Sequence, residues 1–180
     1  GEGFSAFFSV TDNTPPTVEM DTPGNVSIGT NVELSWTAED NAGFQSHHLY
    51  FSGATGQAFA LLDSVAGLDS VYVWTVPNIV TESARLSVLS YDLVGLTDRD
   101  TTDAFTIIDE IPPEVTILTP TTDSSIPEYE TLTATWEATD NIGLDSVMVH
   151  YSNDGGLSFT LMGSESGDSS AYTFGIPFGI

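Results

Sequence analysis

The chain lacks cysteine and lysine altogether, and its 180 residues include only two arginines and three histidines. Without cysteine there are no disulfides, so each folded unit must stand on its apolar core or on bound ions. Against 26 acidic residues the two arginines leave a formal charge of −24. That balance excludes nucleic acid as a partner, because binding it requires cations that displace phosphate counterions. No apolar run reaches the roughly 18–20 residues of a membrane span, and an acidic surface is repelled by anionic headgroups.

Signatures of catalysis are also missing. There is no Gly-x-Ser-x-Gly elbow, no serine in a repeated His and Asp context, and no carboxylate pair in an identifiable cleft. His47 and His48 are neighbours on a predicted strand, so they face opposite sides and cannot chelate together. These absences predict a chain that is not an enzyme and has no organic cofactor. What remains is foldable: 40% of residues are apolar and 11% aromatic, and the apolar positions are periodic, which argues against disorder. Two settings tolerate so much negative charge on a compact fold, namely high salt, which screens it, and divalent cations, which neutralise it locally. Both are extracellular more often than cytosolic.

The chain repeats itself. Asp12-x-x-Pro15-Pro16-x-Val18 returns as Asp109-x-x-Pro112-Pro113-x-Val115, and Trp36-Thr37-Ala38-Glu39-Asp40-Asn41-Ala42-Gly43 returns as Trp136-Glu137-Ala138-Thr139-Asp140-Asn141-Ile142-Gly143. Phe59, Tyr72, Trp74 and Pro77 recur as Phe159, Tyr172, Phe174 and Pro177. A period near one hundred is domain-sized and predicts an array of similar modules. Phe8-Ser9-Val10-Thr11-Asp12 aligns with Phe105-Thr106-Ile107-Ile108-Asp109. Residues 1–12 are therefore expected to be the last strand of a preceding module, 13–108 a complete module, and 109–180 a second module without its last two strands. The proline pairs lock the linkers into extended geometry.

Within the complete module, short alternating runs separated by turns every 8–12 residues predict an all-β sandwich of seven strands. They are expected at 17–22, 31–38, 45–52, 57–63, 71–76, 84–91 and 103–108. Val32, Leu34 and Trp36 share one face, as do Leu86 and Val88, and these faces make the core. The in-phase tryptophans are expected to be buried and not to form a carbohydrate platform. Arg85 and Arg99 are expected to pair with local carboxylates.

Val32-Glu33-Leu34-Ser35-Trp36, Leu49-Tyr50-Phe51 and Ala84-Arg85-Leu86-Ser87-Val88 resemble strands of fibronectin type III modules. With Trp74-Thr75-Val76-Pro77 they are similar, more closely, to the immunoglobulin-like repeats of large secreted and cell-surface proteins of bacteria and archaea. The resemblance implies tandem fibronectin type III-like sandwiches at the cell surface, serving as spacers, stalks, adhesive arms or filament subunits. The partners it implies are neighbouring modules of the same chain and other copies in a filament or surface layer.

Sandwich connectivity gathers carboxylates at one pole of each module. The linker brings Asp12, the turn after the second strand Asp40 and Asn41, the loop after the fourth strand Asp63 and Asp69, and the last hairpin Asp92, Asp98 and Asp100; Asp109, Asp140 and Asn141 repeat part of the set. Calcium takes six to eight hard oxygens from such turns. Val10-Thr11-Asp12-Asn13-Thr14-Pro15 also resembles the calcium-binding linkers of cadherins in its Asp-Asn-x-Pro order. The same sequences are ordinary turns, since Asx side chains cap turns and glycine takes positive φ, so a calcium site and a plain turn are both open at this point.

Overall fold

The computed structural model describes residues 7, 9–121, 124–127 and 129–176, so most of the expected first strand at 1–12 lies outside the described residues. The chain divides into two compact units, Gly1–Asp109 and Glu110–Ile180. All the regular structure among the described residues is β.

In the first unit, β1 (Thr17–Met20), β3 (Asn31–Glu39) and β6 (Val71–Thr75) form one antiparallel sheet in the order β1-β3-β6. The second sheet runs β2 (Val26–Ser27), β9 (Phe105–Ile108), β7 (Thr81–Asp92), β4 (Phe44–Ser52), β5 (Ala60–Ala66), with β8 (Thr97–Thr101) also paired to β7. The two inner faces interdigitate. Leu34, Trp36 and Trp74 come from the first sheet, and Leu49, Leu86, Val88, Phe105 and Ile107 from the second. Burying each such side chain contributes about 1.5–3 kcal/mol, and Leu49, Leu86, Val88 and Ile107 are wholly enclosed. Trp74 lies between the rings of Phe51 and Phe105, with centroids 5.1 and 6.3 Å away.

Two short strands, β2 and β8, lie outside every expected span. The first edge strand ends at Met20 and crosses to the other sheet as β2, which pairs in parallel with β9. The last strand consists of β8 and β9, on either side of a break in which the Thr102 hydroxyl accepts the amide of Leu86 at 3.1 Å. The fourth strand starts three residues later than expected. Gln57 is held in the preceding loop, its side chain accepting the Gly53 amide and its carbonyl accepting the Ser52 hydroxyl.

The second unit repeats the opening strands: β10 (Glu114–Thr119), β11 (Thr131–Thr139) and β14 (Ala171–Gly175) form one sheet, and β12 (Ser146–Tyr151) pairs with β13 (Thr160–Ser166) in the other. Trp136 is 4% exposed. No described strand covers the free edge of β12, and a cleft of about 500 Å³ opens between Ile117, Leu132, Trp136, Val147, Val149 and Tyr151.

Candidate metal centre

Strand alternation places two aspartates at the end of the first unit's interior. On β3 the inward row Leu34, Trp36, Ala38 continues to Asp40, and on β7 the inward row Leu86, Val88, Ser90 continues to Asp92. Asp92 is completely buried. Asp12 reaches the same place from the linker, where the Asn41 side-chain amide donates to its Oδ1 at 3.1 Å. One carboxylate oxygen from each of Asp12, Asp40 and Asp92 lies within 4.8 Å of the others.

The hydrogen bonds treat the two oxygens of each carboxylate differently. Asp12 Oδ1 accepts the Thr14 amide (3.0 Å) as well as Asn41. Asp40 Oδ2 accepts the amides of Ala42 (2.7 Å) and Gly43 (2.8 Å). Asp92 Oδ1 accepts those of Val94 (2.9 Å) and Leu96 (2.7 Å). In Asp40 and Asp92 one oxygen caps its own turn with two backbone N–H donors, and in Asp12 it takes one backbone amide and one side-chain amide. The other oxygen, Asp12 Oδ2, Asp40 Oδ1 or Asp92 Oδ2, is sealed from solvent without a hydrogen-bond partner. The Thr14 amide and then the Asn41 side chain hold the Asp12 carboxyl below its ordinary pKa. The turn geometry is local in origin: Asp40 needs Gly43 at φ 95° and Asp92 needs Gly95 at φ 92° to close.

The remaining expected ligands lie as follows. Asn41 contributes its amide to Asp12 and is itself exposed. Asp98 is not brought into the cluster: its Oδ2 accepts the Val18 amide at 3.0 Å, and Asp100 Oδ2 accepts that of Met20 at 2.8 Å. In the second unit Asp140 Oδ1 accepts the amides of Ile142 (2.9 Å) and Gly143 (3.1 Å), repeating the Asp40 turn, with Asn141 in the place of Asn41. Asp109, half-buried at the end of the first unit, holds the sequence position of Asp12. The arginines, expected beside carboxylates, find other partners: Arg85 donates to the Thr102 carbonyl, while Arg99 donates to the Ser87 hydroxyl and stacks over Tyr50.

One group near this pole went unassigned in the sequence. His47, on the inward row of β4, is 1% exposed, with Nδ1 2.8 Å from Ser90 Oγ and Nε2 3.2 Å from the Gly67 carbonyl. It packs against Trp36 and Phe44. Its signal was its place in the row His47, Leu49, Phe51. Gly67 must be glycine here, because a Cβ would collide with the Phe44 backbone, and Gly167 stands equally close to that of Leu144.

Residues 113–178 match the family model described as a bacterial Ig domain. The second unit is similar to that family. The sequence repeat and the shared strand order make the first unit a β-sandwich of the same kind as the second. Bacterial Ig domains are typically non-catalytic and commonly belong to extracellular or cell-surface proteins. Among solved structures, the chain is similar to one titled "Structures of Clostridium thermocellum CbhA fibronectin(III)-like modules", at 18% identity over 88% of this chain and 78% of that one, with a TM-score of 0.41. No curated protein matches the chain.

Proposed function

We propose that this chain is a non-catalytic structural segment of an extracellular or cell-surface protein, a stalk, adhesin arm or filament subunit, in which calcium stiffens the junctions between modules. The observation that supports it is the trio of sealed, partnerless oxygens on Asp12, Asp40 and Asp92. Three clustered carboxylates shut off from water are strongly unfavourable unless a cation sits among them. Calcium, a hard ion that prefers carboxylate oxygens on turns, suits them. Asp12 precedes Pro15-Pro16, so an ion held there would tie the linker to the module that follows.

The test is thermal unfolding of the 180-residue chain in calcium and in chelator at fixed ionic strength. Calcium at about 100 times its dissociation constant adds roughly 2.7 kcal/mol, a shift of several degrees. The rise should be lost in Asp40→Ala. An equal rise on adding sodium chloride at matched ionic strength would instead make the acidity an adaptation to salt. The alternative role is an accessory spacer or glycan-binding appendage of a secreted enzyme; its glycan-binding form needs an exposed aromatic row, and Trp36, Trp74 and Trp136 are all core residues.

A further inference from the structure

The hydrogen bonding of the three aspartates restricts how they can hold an ion, and so which ions they accept. A carboxylate oxygen has two in-plane lone pairs, and in each aspartate the capping oxygen already receives two N–H donors. Neither lone pair of that oxygen is left for a metal. Bidentate ligation, by which protein sites often raise the coordination number to the seven or eight that suits calcium, is closed at all three residues. Re-aiming a carboxylate to offer both oxygens would strip the amides from a turn and leave them unpaired, at about 1–3 kcal/mol for each buried donor.

We infer that the cage binds one divalent cation through three monodentate carboxylate oxygens, Asp12 Oδ2, Asp40 Oδ1 and Asp92 Oδ2, and accepts manganese about as well as calcium. This rests on the cation reading given above and narrows it. Two features make the cluster more than an acidic patch: Asp92 is wholly buried with its free oxygen unpartnered, and each of the three carboxylates has one oxygen doubly hydrogen-bonded and the other sealed without a partner. Three oxygens within 4.8 Å of one another fit a six-coordinate shell at metal–oxygen distances of about 2.1–2.4 Å, the range that spans manganese and calcium. The cage charge of −3 favours a divalent ion over sodium.

The experiment is a manganese titration of the 180-residue chain followed by electron paramagnetic resonance, in which the six-line signal of free manganese disappears on binding. Calcium is then added to displace it. The expected result is manganese binding, with calcium displacing it at a concentration within roughly tenfold of manganese's own, and one site fewer in Asp92→Asn. Asparagine keeps an oxygen for the Val94 and Leu96 amides, so the variant should fold and melt in chelator no lower than the parent; Asp40→Asn serves as a second variant. Calcium binding that survives a hundredfold excess of manganese would overturn the monodentate inference and leave the calcium proposal standing. Failure of both ions to bind, or equal binding by both asparagine variants, would overturn the two together.

Discussion

Single residues at the pole differ in what they do because of which way the strands carry them. Asp92 and Asp40 extend inward rows, two positions beyond Ser90 and Ala38, whereas Asp98 sits on the return arm of the hairpin and turns to β1. That distinction was legible in the sequence by carrying the alternation past the last apolar residue. The selective capping of one oxygen per carboxylate was not, because it depends on turn closure in three dimensions. His47 supplies a prediction at this scale. Burial pushes its pKa below the ordinary value of 6.5, outweighing the Gly67 carbonyl and the charge of Asp69, which act the other way. Above pH 6.5 both folded and unfolded states are neutral at this residue. As pH falls through 6.5 the unfolded chain takes up a proton that the folded one refuses, so stability is lost toward the lower, folded pKa, at up to about 1.4 kcal/mol per pH unit. Urea titrations between pH 7.5 and 5.5 should show a smaller loss in His47→Val, the residue type found at Val147 in the second copy. Parallel curves would show that His47 carries no linkage.

At the scale of elements, β1 is joined to the opposite sheet through side chains. The amides of Val18 and Met20 point away from β3 and are received by Asp98 and Asp100 of β8, so two alternating carboxylates do the work of a neighbouring strand. Asp98→Ala and Asp100→Ala should each cost about 1 kcal/mol in chemical denaturation. The asparagine variants, which still accept a hydrogen bond, should cost less, and equal losses in the two series would mean that charge and not the bond is responsible. The strands with strong alternation, β3, β4, β6 and β7, were readable to within a few residues. The two-residue β2 was not, since so short a segment has no period, and the broken β8 and β9 pair was read only in its second half because Asp98, Arg99 and Asp100 do not resemble a strand.

For the molecule as a whole, the described strands of the two units cover their cores to different extents. In the first, β7 and β9 close the core. In the second, Ile117, which pairs with Trp136 as Met20 pairs with Trp36, is 70% exposed where Met20 is 5% exposed. Limited proteolysis of the 180-residue chain under native conditions should therefore consume the region beyond Glu110 first and leave a resistant fragment ending near Asp109, identified by intact mass. Simultaneous loss of both units would contradict this. The position of Asp12 has a consequence for where one copy ends and the next begins. The strands of the first unit start at Thr17, but its carboxylate trio starts five residues earlier, in a stretch that the sequence repeat assigns to the tail of the previous copy. The folding period and the charge period of this chain are out of phase, so a module excised at its first strand would keep its whole core and lose a third of its cage.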